Sequence, residues 1–227
     1  MVSGSKSPRS QQRARVFDAY RGRGRKNNNL WLVYSVKSKR DWIFTSDRRL
    51  VHWLCFLESD QSVLSFEVPQ QSNDIAANGD CAADVLYRDG HRESHIVSAG
   101  GSTSEFAGIN TTGQPEPGTP LVKMFSDTEL QPKVVLAMRW LKALGYAAAI
   151  RDQEHTPVLV ALLAQIQSGD TGKVSDLITM LAEFDHSIIF GLLVRLAIEG
   201  QVTLDFNESG YCLMTRWHRY DNGNLVS

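Results

Sequence analysis

The apolar pattern changes character at Pro157, and that switch limits the chain to two differently built parts. Upstream, apolar residues come mostly in short β-rich runs. Leu30 to Val36, Asp41 to Phe44, Val63 to Val68, Ala82 to Tyr87, Ser94 to Ser98, Leu121 to Phe125 and Tyr146 to Ile150 read as strands. Asp89-Gly90 is a hairpin turn signal. Two helices interrupt the strands. Leu50, Trp53, Leu54 and Leu57 recur at helical spacing behind a capping group at Thr45, Ser46 or Asp47. Val134, Val135, Met138, Leu141 and Leu144 do so behind Pro132, with Gly145 as the expected stop. The order predicts an α/β domain, a mixed sheet with helices on either side, over 30–156.

Downstream of Pro157 the spacing is helical. Val158 to Ile166, a face of Val174, Leu177, Ile178 and Leu181, and Ser187 to Glu199 predict three helices. Val202 to Phe206 and Tyr211 to Trp217 then flank a turn cluster at Asn207-Glu208-Ser209-Gly210. Three helices and a hairpin make a small winged-helix-like α+β domain over 157–227. Residues 98–120 are rich in Ser, Gly, Thr and Pro and read as a loop insertion.

Charge is distributed as unevenly as hydrophobicity. Residues 1–40 hold eleven Lys/Arg against one acid, Asp18, whereas the whole chain nets −1. Residues 1–29 therefore read as a basic, disordered or extended arm. A basic arm on an acidic body suits a polyanionic partner, because each Lys or Arg on a phosphate releases counterions. The DNA-contacting candidates are Arg13, Arg15, Arg21, Arg23, Arg25, Lys26, Lys37, Lys39 and Arg40. The tail over 157–227 nets −4 and its third helix offers only Arg195 to a base edge, so it fits a protein partner better than a groove.

No apolar run approaches the roughly 20 residues of a membrane span. Cys55, Cys81 and Cys212 fit no zinc spacing and predict free thiols in a reducing cytoplasm. The histidines form no ligand pair.

Several motifs, in order, resemble the TnsA-type transposase endonuclease subunit. They are Ser38-Lys39-Arg40, Thr45-Ser46, the run from Leu57-Glu58-Ser59-Asp60 to Phe66, Ala82-Ala83-Asp84-Val85-Leu86, and Val122-Lys123 followed by Ser126, Glu129-Leu130, Pro132, Trp140 and Gly145-Tyr146. The resemblance covers roughly residues 30–160, and the tail is similar more loosely. It implies a restriction-endonuclease-like fold of the PD-(D/E)xK kind, with the winged-helix-like domain behind it. It also implies transposition, in the cytoplasm of a bacterial or mobile-element host, beside a transposase or an AAA-type regulator.

Carried over by position, Asp84 takes the place of the metal-binding Asp and Lys123 that of the catalytic Lys. The family's helix Glu falls at Leu50 and its second acid at Leu121; neither leucine can ligate Mg²⁺. An alternative alignment sets the second strand at His95-Ile96-Val97-Ser98, without the acid and without the lysine. Asp47, Glu58, Glu93 and His95 are the nearby substitutes. The resulting expectation is a DNA-binding accessory subunit with a degraded nuclease site and no cofactor. The alternatives are an active Mg²⁺-dependent endonuclease cutting at transposon ends, and a winged-helix transcriptional regulator.

Overall fold

The computed structural model describes residues 30–45, 48–67, 81–97, 121–206 and 210–220, with 14, 18 and 21 singly. The loop 98–120 and all of the arm's cations except Arg21 lie outside the described residues, as do the capping candidates Ser46 and Asp47.

The first hairpin, β1 (Leu30–Ser35) and β2 (Arg40–Thr45), is a two-stranded sheet of its own, not part of one larger mixed sheet. Helix α1 (Arg48–Ser59) follows, with Leu50, Trp53, Leu54 and Leu57 buried as their spacing predicts, and Val51 buried beside them. Then come β3 (Val63–Glu67), β4 (Cys81–Tyr87), β5 (Arg92–Val97) and β6 (Leu121–Phe125), in the order β3-β4-β5-β6. The first three run antiparallel to their neighbours, and β6 joins β5 in parallel. Gly90 makes the β4–β5 turn possible: its φ of +90° is a conformation other residues resist. Helix α1 covers one face of this sheet, where the Trp53 ring meets Phe66 and His95 edge-on.

After β6 come α2 (Asp127–Leu130), a 3-10 turn at Gln131–Lys133, and α3 (Val134–Ala149). The strand expected at Tyr146 to Ile150 is instead the end of α3 and its C-cap. Gly145 does not stop the helix; its φ is ordinary and a Cβ there would meet nothing. Ala147, Ala148 and Ala149 are strong helix formers, and burying Ala143, Leu144 and Ala147 rewards continuation.

The tail builds α4 (Thr156–Ser168), β7 (Thr171–Lys173), α5 (Val174–Met180), α6 (His186–Ile198), β8 (Val202–Asp205) and β9 (Arg216–Arg219). Two readings shift here. Gly169 to Gly172, expected as a simple break, contributes β7; and the last strand begins at Arg216, not Tyr211. Tyr211 is spent as a buried anchor whose hydroxyl donates to the Phe190 carbonyl at 2.9 Å. The three strands form an antiparallel sheet in the order β7-β9-β8. Asp185 caps α6 by accepting from the Ser187 amide at 2.7 Å, and Gly200, at φ +78°, follows its end.

The two parts share one continuous core. Helix α6 lies against α3, where a Cβ on Gly191 would stand 2.7 Å from the Tyr146 carbonyl oxygen and 2.8 Å from Ile150 Cδ1. Tyr146 stacks on Phe190 at 5.0 Å, and Trp140 meets Phe206 edge-on at 4.8 Å. Polar bonds lock the seam. Gln61 Nε2 donates to the Ala197 and Val202 carbonyls, Arg88 Nη2 to Glu199 and Arg139 Nη1 to Phe206. The Ala197 and Glu199 carbonyls lie at the C-terminal end of α6, where Ala197 also accepts from the Gly200 amide at 3.1 Å, and those of Val202 and Phe206 lie at the two ends of β8. Gly191→Ala should lower stability by about 1–3 kcal/mol, read in urea unfolding, because backbone cannot yield as a flexible side chain can.

Candidate functional site

The β-strand pleat decides which of the predicted site residues can meet. In the β4–β5 hairpin Asp84 pairs with Ser94, Val85 with Glu93 and Ala83 with His95. On β5 and β6, Glu93 pairs with Leu121 and His95 with Lys123. Successive side chains alternate faces. Glu93, His95, Lys123 and Phe125 therefore share the face that α1 covers, and Asp84 points the other way. Two parts of the carried-over site are corrected. Asp84 and Lys123 are not on adjacent strands, since β5 lies between them, and they project from opposite faces of the sheet.

On its own face Asp84 is exposed, beside its cross-strand partner Glu67 and opposite Ser94. Two carboxylates there lack the lysine that PD-(D/E)xK chemistry requires. Among the described residues no group of three or more His, Cys, Asp or Glu could hold a metal ion. The donor set does not fit the Mg²⁺ centre that the resemblance implies. Leu50, in the place of the helix Glu, is core; Leu121, in the place of the second acid, is 57% exposed.

On the α1 face the sequence reading missed a connected polar group. The Trp53 indole N–H lies 3.2 Å from His95 Nδ1. Indole nitrogen only donates, so Nδ1 accepts and the neutral ring carries its proton on Nε2. That proton points at Glu93 Oε2, 2.7 Å away, which also accepts from the Tyr87 hydroxyl at 2.6 Å. Lys123 Nζ stands 3.6 Å from the same oxygen. Burial raises the Glu93 carboxyl, but the Tyr87 and His95 hydrogen bonds and the Lys123 charge outweigh it and hold the group below its ordinary range. Burial keeps His95 below its ordinary value despite Glu93, as expected for a fully enclosed neutral ring. Burial, then the Glu93 carboxylate it faces, pushes the Tyr87 hydroxyl up. Glu93 and His95 are thus committed to each other. The one legible signal was Glu93-x-His95, which on a strand puts both on one face.

Glu58, another candidate substitute acid, is also enclosed. It is fully buried, accepting from the Ser35 hydroxyl and, at 3.1 Å, from the Val36 amide. Lys37, expected on DNA, folds inward and donates its ammonium to the Leu57 and Asp60 carbonyls at the end of α1. There it neutralises the helix's negative pole. Lys39 is exposed in the hairpin turn at φ +52°, and the Arg40 guanidinium lies 5.4 Å over the Trp42 ring.

Comparison with protein-family models, curated proteins and solved structures returns no match. Among the described residues no helix is long and apolar enough to cross a membrane.

Burial pushes the Glu58 carboxyl above its ordinary 4.5, against the Ser35 hydrogen bond and the Lys37 charge. A raised folded-state value, about 7, means the folded form holds this proton more tightly, so the contribution of Glu58 to stability is full below about 4.5 and is lost as pH rises through about 7. Glu58→Gln should flatten that loss, measured as urea midpoints across pH.

Proposed function

We propose that the chain is a DNA-binding accessory subunit of a TnsA-like transposition machinery, holding nucleic acid on a nuclease-derived scaffold without cutting it. The observation that carries this reading is the separation of Asp84 from Lys123 by the sheet itself. Hydrolysis assisted by Mg²⁺ requires carboxylates and the base converging on one phosphate. Here one face carries Asp84 beside Glu67, and the other carries a lysine whose nearest acid is already bonded twice. DNA is the partner that the basic arm and the exposed Lys39 favour.

In this reading the tail is a winged-helix relative, with its helices and the β7-β9-β8 order as support. Its third helix, α6, would then be the recognition helix, yet it is packed on α3 through Gly191. That favours a docking tail over a transcriptional regulator, with a transposase or AAA-type regulator as the partner.

A nicking assay with Mg²⁺ or Mn²⁺, alone and with candidate partners, tests the proposal. Retention of DNA without strand breakage is the expected result. Robust cutting that Asp84→Ala abolishes would overturn it.

A further inference from the structure

We infer that Lys123 and Lys133 together seat the phosphodiester backbone of DNA, an inference that rests on the DNA-binding reading above. The two residues come from different elements, β6 and the 3-10 turn at Gln131–Lys133, yet their ammonium groups converge on one ring. Lys123 Nζ lies 5.8 Å and Lys133 Nζ 5.9 Å from the Phe125 centroid, and Lys133 is also 3.5 Å from that of Phe56.

The ring faces attract each ammonium, but the two like charges repel one another unless an anion joins them. Burial, and then the Lys123 charge, lowers the Lys133 ammonium below its ordinary value. Asp60 and Glu129 partly offset this from a distance, but neither forms an ion pair with Lys133 among the described residues. Glu93 is bonded by Tyr87 and His95, Glu129 accepts from the Ser126 amide at 2.6 Å, and Asp60 accepts from Ser62. Asp127 pairs with Arg49 at 3.5 Å. Among the described residues the 3.6 Å contact with Glu93 is the one ion pair of Lys123, and Lys133 makes none.

Access is consistent with a long polyanion. Strand β6 is an edge of its sheet among the described residues, and the Lys123 side chain is 47% exposed. A phosphate there would make two charge-assisted contacts and offset the repulsion that remains between the two ammonium groups.

The test uses the full chain and a generic DNA duplex, followed by fluorescence anisotropy over a range of KCl. The double variant Lys123→Gln/Lys133→Gln should bind several-fold more weakly. It should also lower the magnitude of the log K against log[KCl] slope by about 1 to 2, one unit per lost phosphate contact. Unchanged melting would exclude a folding defect. If the native chain binds and the double variant keeps its affinity and slope, the seat is wrong while the DNA-binding reading stands. If the native chain does not bind, both fall. A phosphorus NMR titration with inorganic phosphate distinguishes the source of the anion: phosphate uptake lost in the double variant, with DNA binding unaltered, would overturn the assignment to DNA.

Discussion

Everything in the candidate site follows from the pairing of β4 with β5. With Gly90 at the turn, the register is fixed residue by residue, and each side chain's face is fixed with it. A slip of one position would bring Asp84 to the α1 side and expel Val85, and burying Val85 forbids it. The hydrophobic requirement of the core thus keeps the aspartate away from the lysine. The pleat thus keeps apart the two residues whose sequence context resembles a nuclease motif.

The same core ties the two halves of the chain together. Gly191 lets α6 approach α3 to backbone distance, and the aromatic seam of Trp140, Tyr146, Phe190, Phe206 and Tyr211 fills the space around it. Gln61 and Arg88, both in turns of the first part, then bond carbonyls at the end of α6. These bonds give the apolar seam directional contacts as well. A helix held this way is exposed only at its first two residues, His186 and Ser187.

The sequence made α1, the β4–β5 hairpin, β6 and the tail's three helices legible, because each has a strong period or a definite turn residue. It misled at Gly145, where local stop chemistry lost to the packing of Ala143 and Ala147. It missed β7, whose three residues form a strand only because β9 supplies the pairing. Lys37 looked like a phosphate ligand because charge alone does not reveal that the end of α1 lies within reach. The polar group of Trp53, Tyr87, Glu93 and His95 spans three elements, so no linear spacing announces it; only Glu93-x-His95 was visible. The opposed faces of Asp84 and Lys123 depend on knowing that β6 adds to β5 and not to β4.

Manganese calorimetry on the intact chain tests the central claim most directly. Separated by the sheet, Asp84 and Lys123 leave no convergent ligand set, so titration should give no saturable heat that depends on Asp84. Stoichiometric uptake lost in Asp84→Ala would show that oxygen ligands do converge on that aspartate, and would contradict the account.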